Sequence, residues 1–129
     1  LGYERAGVRA EVEPFFIDLP ARIAASHLVV CRSGASSVTE LAVIGRPSIL
    51  IPFAAAAGDH QTANAQPLAA SDAAVIITEA ELTPAALAAH IGAILQDETK
   101  AKAMAAAALA LGQPDAATKL ADLVEQIAK

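Results

Sequence analysis

Three short apolar runs, separated by segments with helical patterns, constrain the fold of this chain more than any other feature. They cover residues 28–31, 48–51 and 74–77, and each is followed by a polar residue or a proline. Continuous apolar runs of this length are typical of strands that are buried on both faces, as in parallel sheets covered by helices. The sequence therefore predicts an α/β fold with a Rossmann-like parallel sheet and flanking helices.

The segments around these runs carry helix signals. Gly7 predicts the end of a first short helix, and Asp18 with Pro20 predicts the start of a second one that ends near residue 26. Thr83 is the expected N-cap of the helix that begins near residue 84. Residues 8–12 alternate between apolar and polar side chains and are predicted to form a fourth short strand. The remaining helices are predicted at residues 38–44, 60–70, 84–95, 99–111 and 115–128.

Charge and composition exclude several classes of function. The net charge of −5 argues against a general nucleic-acid-binding protein, which needs a basic surface. Cys31 is the only cysteine, so no intrachain disulfide can form. The three histidines show no ligand-like spacing, so no zinc site is expected. No signal-peptide pattern is present, and no apolar run approaches the roughly 20 residues of a membrane span.

A turn of small residues, from Ser33 to Ser37, follows the first predicted strand. In open α/β sheets, ligands bind at the carboxyl ends of the strands, where this turn is expected. Such a turn exposes successive backbone N–H groups, and the dipole of the following helix adds positive potential. The combination suits a diphosphate, although an ordinary strand-to-helix turn can have the same composition.

Glu40, in the helix that follows this turn, has two interpretations. With Ser37 it completes a Ser-x-x-Glu capping box, in which the glutamate accepts a hydrogen bond from the backbone at the start of the helix. Alternatively, its two carboxylate oxygens accept hydrogen bonds from the two hydroxyls of a ribose. The pattern taken alone favours the capping interpretation.

A cluster of polar side chains follows the second predicted strand, from Asp59 to Asn64. Asp59 is a candidate helix N-cap. His60 and Asn64 are candidate ligand contacts, but a partly exposed helix residue and a structural hydrogen bond explain them equally well. The pattern alone therefore leaves the role of this cluster open.

Five segments resemble, in order and spacing, the MurG family of nucleotide-sugar glycosyltransferases. The similarity extends to about residue 77, and the arginine-serine-glycine turn, the glutamate and the histidine-glutamine-asparagine cluster are together fairly specific. The five segments are Pro14-Phe15-Phe16-Ile17-Asp18-Leu19-Pro20, Val29-Val30-Cys31-Arg32-Ser33-Gly34-Ala35, Ser37-Val38-Thr39-Glu40-Leu41, Gly45-Arg46-Pro47-Ser48-Ile49-Leu50-Ile51-Pro52 and Asp59-His60-Gln61-Thr62-Ala63-Asn64-Ala65.

The resemblance implies a glycosyltransferase B fold whose C-terminal domain binds UDP-N-acetylglucosamine and whose N-terminal domain binds lipid I at the membrane. Phe16 would lie at the uracil, Glu40 would hold the ribose hydroxyls, and His60 and Gln61 would contact the sugar. Neither a cofactor nor a metal is implied, and none of these residues is a catalytic acid or base. The donor-site residues implied are Phe16, Ser33, Gly34, Ala35, Ser36, Ser37, Val38, Thr39, Glu40, His60, Gln61 and Asn64.

The resemblance further implies that residues 1–129 are part of a C-terminal domain whose first strand and glycine-rich loop lie outside this sequence. The whole enzyme would form lipid II for peptidoglycan synthesis at the cytoplasmic face of the bacterial plasma membrane. This chain alone is expected to be inactive, because the proposed general base of the family lies in the N-terminal domain. Two alternatives are another UDP-sugar transferase of the same fold and a non-catalytic nucleotide-sugar-binding or assembly module.

Overall fold

The computed structural model of the chain describes residues 2–55 and 59–112. Three parallel strands form one sheet in the order β1–β2–β3, with Val30 paired to Ile49 and Ile49 paired to Val75. The strands are β1 (Val29–Cys31), β2 (Ser48–Leu50) and β3 (Ala74–Ile76). Each lies within one of the predicted apolar runs, and the predicted parallel sheet is confirmed.

Six helices are present in the described part of the chain. Thr83 caps the fifth helix as predicted, because its Oγ1 accepts a hydrogen bond from the Ala86 backbone N–H at 3.0 Å. Gly45 ends the third helix in the left-handed conformation, at φ 79°, which favours glycine. The predicted helix at residues 115–128 lies outside the described residues. The helices are α1 (Gly2–Arg5), α2 (Leu19–Ala25), α3 (Ala35–Ile44), α4 (His60–Ala70), α5 (Pro84–Leu95) and α6 (Glu98–Leu111).

Residues 8–12 do not form the predicted fourth strand. They connect α1 to α2, Val8 and Val12 are exposed, and no strand of the described residues pairs with them. An alternating pattern stabilises a strand only when a neighbouring strand supplies the partners for its backbone N–H and C=O groups. That neighbour is not among the described strands, so the prediction was wrong.

The central strand β2 is buried on both sides of the sheet. Leu50 packs on one face in a cluster with Leu41 of α3 and Leu68 of α4. Ile49 packs on the other face in a cluster with Ile94 of α5. Burying one such side chain stabilises the fold by about 1.5–3 kcal/mol. The two clusters therefore hold the sheet between helices, with α3 and α4 on one face and α5 on the other.

Small residues allow α6 to end close against α3. A Cβ added to Gly112 would lie 2.4 Å from the carbonyl oxygen of Ala42. This distance is too short for a non-bonded contact, so only glycine fits at this position. None of the described helices is both long and apolar enough to cross a membrane.

Candidate functional site

Both α3 and α4 begin at the edge of the sheet where the parallel strands end. α3 follows β1 after residues 32–34, and α4 follows β2 after the loop that begins at residue 51. The carboxyl ends of parallel strands lie along one edge, so the N-termini of these two helices also lie there. This edge contains the turn and the polar cluster that the sequence singles out.

The first turn of α3 presents backbone N–H groups that no side chain in the described part of the chain caps. Gly34 occupies the N-cap position, and the first hydrogen bond of the helix runs from the Val38 N–H to the Gly34 carbonyl at 3.1 Å. The N–H groups of Ala35, Ser36 and Ser37 precede that bond and have no acceptor within the helix.

Among the described residues, the space beside this turn is open. A Cβ built at Gly34 would have none of their atoms within 4 Å, apart from its own neighbours in the chain. The turn can therefore offer an anion several N–H groups together with the positive end of the α3 dipole.

Glu40 is a partly buried residue on the second turn of α3. The helix begins at Ala35, three residues earlier than predicted, so Ser37 is its third residue and not its N-cap. The capping-box interpretation of Ser37 and Glu40 is therefore wrong. Across residues 2–55 and 59–112, no group forms a hydrogen bond or an ion pair with the Glu40 carboxylate. That carboxylate remains available to a ligand bound at the start of α3.

Two hydrogen bonds join the turn before α3 to the start of α4. The hydroxyl of the fully buried Ser33 donates to the Gln61 carbonyl at 2.6 Å, and Asn64 Nδ2 donates to the Ser33 carbonyl at 3.1 Å. The side chains of Ser33 and Asn64 thus hold the two helix starts together. For Asn64, the interpretation as a structural hydrogen bond is confirmed.

The N-terminus of α4 places two polar side chains beside this junction. Gln61 Oε1 accepts from the Phe53 backbone N–H at 2.9 Å, which leaves the amide nitrogen of Gln61 as a donor. His60, the first residue of α4, is exposed. Asp59 precedes it with φ 57°, a left-handed conformation that aspartate tolerates better than most residues.

Neither of the two predicted aspartate caps bonds to a helix backbone. Asp59 Oδ1 accepts a hydrogen bond from the Thr62 hydroxyl at 2.9 Å. Asp18 Oδ1 accepts from Arg22 at 2.8 Å, and this bond lowers the pKa of the Asp18 carboxyl. In both cases a side-chain donor one turn ahead occupies the oxygen that would otherwise cap the helix.

Three other predicted site residues have contacts of a different kind. Val38 packs against the core, and the Thr39 hydroxyl donates to the Ala35 carbonyl at 2.9 Å inside α3. The ring of Phe16 lies 4.3 Å from Cζ of Arg22, in the segment before α2. Within the described residues, no hydrogen bond or ring contact joins Phe16 to the α3 and α4 helix starts.

Sequence reasoning missed an ion pair at the same edge of the sheet. Arg32, directly after β1, donates through Nη1 to Oε1 of Glu79, which follows β3, at 2.8 Å. The same Glu79 oxygen accepts from the Ala54 backbone N–H at 3.3 Å, and the Arg32 guanidinium lies 5.6 Å from the Phe53 ring centroid. The one available signal was that each residue closely follows a predicted strand.

Cys31 ends β1 next to the turn but is not an activated nucleophile. Burial raises the pKa of its thiol, so the thiol is protonated at neutral pH. Among the residues that the structure describes, no group of three or more His, Cys, Asp or Glu side chains is arranged to hold a metal ion.

A cavity of about 730 Å³ lies at the opposite edge of the sheet, where His27 and Pro47 precede the strands. Its walls combine alanines and Leu95 with charged or polar residues, and the Arg46 guanidinium there donates to the Ala24 carbonyl.

Comparison with known proteins identifies the family. The model of the glycosyltransferase family 28 C-terminal domain matches residues 3–127. The UDP-N-acetylglucosamine--N-acetylmuramyl-(pentapeptide) pyrophosphoryl-undecaprenol N-acetylglucosamine transferase of Rhodopseudomonas palustris (strain BisA53) is 54% identical over 126 residues, which are 98% of this chain and 34% of that protein. The enzyme of the same name from Nitrobacter hamburgensis is 50% identical over 127 residues, again 98% of this chain and 34% of the relative.

A solved structure supports the same assignment. The crystal structure of Acinetobacter baumannii MurG superposes with a TM-score of 0.82 and 34% sequence identity, over 94% of this chain and 35% of that one. The chain thus spans about a third of the length of the relatives that it matches. By its sequence and by its fold, the chain belongs to the family of glycosyltransferase family 28 C-terminal domains.

Proposed function

We propose that this chain binds the donor, UDP-N-acetylglucosamine, in an enzyme that transfers N-acetylglucosamine to lipid I and forms lipid II. The observation that carries this proposal is the N-terminus of α3, together with Glu40 one turn further on. Within residues 2–55 and 59–112, no side chain caps this helix start and no group pairs with the Glu40 carboxylate. The relatives named above are N-acetylglucosamine transferases, which supports the choice of donor and acceptor.

The spacing along α3 suits a nucleoside diphosphate. In this proposal the N–H groups of Ala35, Ser36 and Ser37 bind the diphosphate, and Glu40 accepts hydrogen bonds from both ribose hydroxyls. Glu40 is four positions after Ser36, so the two residues lie about 6 Å apart along the helix axis. That distance is comparable to the separation of a 5′-phosphate from the hydroxyls of its own ribose.

The start of α4 is assigned to the sugar. In this proposal His60 and the amide nitrogen of Gln61 donate to sugar hydroxyls. The hydrogen bonds of Ser33 and Asn64 to each other and to Gln61, which keep α4 against the turn before α3, support this assignment. Phe16 is assigned to the uracil through its backbone, because its ring already contacts Arg22.

The proposed chemical role of the chain is to stabilise the leaving group. When the acceptor hydroxyl attacks the anomeric carbon, the bond from that carbon to the diphosphate oxygen breaks, and UDP leaves with additional negative charge. Preorganised N–H groups at the end of a helix dipole stabilise that charge as it develops. The base that takes the proton from the acceptor hydroxyl, the contacts to lipid I and the attachment to the membrane are assigned to parts of the enzyme outside this chain.

A transfer assay with the full-length protein tests the proposal. Incubation with radiolabelled UDP-N-acetylglucosamine and lipid I should produce labelled lipid II and an equal amount of UDP, and UDP-glucose should be a poor substitute. Transfer of a different sugar, or to a different acceptor only, would instead indicate another UDP-sugar transferase. A full-length protein that binds no uridine nucleotide would be a non-catalytic module, and the proposal would fail.

A further inference from the structure

One carboxylate oxygen connects the chain segments that follow all three strands. Oε1 of Glu79, after β3, accepts from Arg32 Nη1 at 2.8 Å and from the Ala54 backbone N–H at 3.3 Å. Arg32 follows β1 and Ala54 follows β2. Glu79 therefore links three segments at the edge of the sheet where α3 and α4 begin.

The same contacts hold the start of the loop after β2, at Phe53 and Ala54. The two consecutive N–H groups there are each bound by a side chain, namely Gln61 Oε1 at 2.9 Å and Glu79 Oε1 at 3.3 Å. The Arg32 guanidinium lies over the Phe53 ring and packs against the loop from the side. Because Gln61 bonds to Phe53, the direction of its free amide nitrogen depends on where this loop lies.

We propose that Glu79 is a positioning residue for the sugar end of the donor site. Glu79 fixes the backbone at Ala54, and so the position of the adjacent Phe53 N–H. That N–H binds the side-chain oxygen of Gln61, Oε1, and thereby directs the side-chain amide nitrogen of Gln61 at the sugar. This inference rests on the proposed function and adds to it a residue that touches no atom of the donor.

Glu79 reaches the turn before α3 through the Arg32 side chain, but Ser33 in that turn has its own hydrogen bonds to Gln61 and Asn64. The nucleotide end of the site, on α3, should therefore depend on Glu79 much less than the sugar end does.

The contribution of Glu79 to overall stability is expected to be small. The side chains of Arg32 and Glu79 are 52% and 36% exposed, and exposed ion pairs add little to the free energy of unfolding. The substitution Glu79→Gln should therefore leave the fold intact while it weakens the contacts to Arg32 and to Ala54.

The test compares two glutamates of the same segment in the full-length protein. Glu81 is the matched control, because its Oε1 accepts from the Thr78 hydroxyl at 2.7 Å and not from the loop. Calorimetry with UDP-N-acetylglucosamine should show affinity lowered by about 3- to 10-fold in Glu79→Gln, because a charged acceptor is replaced by a neutral one. The affinity for UDP, which lacks the sugar, should stay within about 2-fold, and Glu81→Gln should change neither affinity.

A double-mutant cycle checks that Glu79 acts through Gln61. Gln61→Ala should also lower the affinity for UDP-N-acetylglucosamine more than the affinity for UDP. Adding Glu79→Gln to this variant should lower the affinity little further, because the effects of substitutions at coupled residues do not add. Equal losses for UDP and UDP-N-acetylglucosamine, additive losses in the double variant, or no loss in Glu79→Gln would each overturn the inference. If the unaltered protein fails to bind UDP-N-acetylglucosamine, the proposed function fails, and this inference fails with it.

Discussion

Replacing Glu40 by glutamine separates ligand binding from helix stability at the proposed donor site. Glutamine keeps the shape and helix propensity of glutamate but removes the charge and replaces one acceptor oxygen with a donor. Ser37 is the third residue of α3, so Glu40 has no capping function to lose. Because its carboxylate has no partner in the described part of the chain, no internal contact is broken either.

The size of the expected effect follows from the charge and the exposure of this carboxylate. A hydrogen bond to a charged group contributes roughly 1.5–3 kcal/mol, and a neutral one about 0.5–1.5 kcal/mol. Glu40 is only partly buried, so water weakens the difference, and we take about 1.4 kcal/mol. The affinity for UDP should therefore fall about 10-fold, and the melting temperature should not change.

Calorimetry with UDP and 2′-deoxy-UDP on the full-length protein measures this effect. The unaltered protein should bind UDP more tightly than 2′-deoxy-UDP, and Glu40→Gln should lose most of that preference. Glu98→Gln is a suitable control, because Glu98 is also a helical glutamate and pairs with Lys102 on α6. If Glu40→Gln binds UDP as tightly as the unaltered protein does, the ribose assignment is wrong.

Three further predictions concern the same site. Ser37→Ala should leave the free energy of unfolding unchanged or raise it by up to about 0.5 kcal/mol, because Ser37 is inside α3 and alanine is the better helix former. If chemical denaturation shows that the free energy of unfolding falls by more than about 1 kcal/mol, Ser37 does cap the helix. Chelator treatment of the full-length enzyme should leave the rate of transfer largely unchanged, because N–H groups and the α3 dipole meet the diphosphate charge; complete loss of activity that Mg²⁺ restores would contradict this. The 129-residue chain alone should form no lipid II from UDP-N-acetylglucosamine and lipid I. Turnover near the rate of the full-length enzyme would contradict the proposal that the base belongs to another part of the enzyme.

The sheet could be predicted from the sequence because its signal is local. Ile49, Leu50 and their neighbours form a continuous apolar run, and such a run is stable mainly between two layers of helices. The signal for the helix cap at Thr83 is equally local, since threonine is favoured at the N-cap and proline at the first position of a helix.

The start of α3 was predicted three residues too late because its first turn is made of turn-like residues. Ala35, Ser36 and Ser37 follow a glycine, and serine favours turns as much as helices. Tertiary packing of Leu41 and Ala42 into the core extends the helix through these positions. In the proposed donor site, this difference changes Ser37 from a helix cap into a residue whose backbone N–H binds the diphosphate.

The contacts of Arg32 and Glu79 could not be read from the sequence. The two residues are 47 positions apart, and no periodic pattern relates them. They meet because β1 and β3 run parallel on either side of β2, which places the segments after both strands at one edge. The polar residues of that edge could therefore be anticipated as a group, but not the partner of each.

A crystal structure of the full-length protein with UDP-N-acetylglucosamine tests the central claim most directly. We expect diphosphate oxygens within about 3.2 Å of backbone N–H groups at residues 35–37, and both ribose hydroxyls within the same distance of the Glu40 carboxylate. A nucleotide bound in the cavity near His27 and Arg46, or one whose ribose lies away from Glu40, would contradict the account.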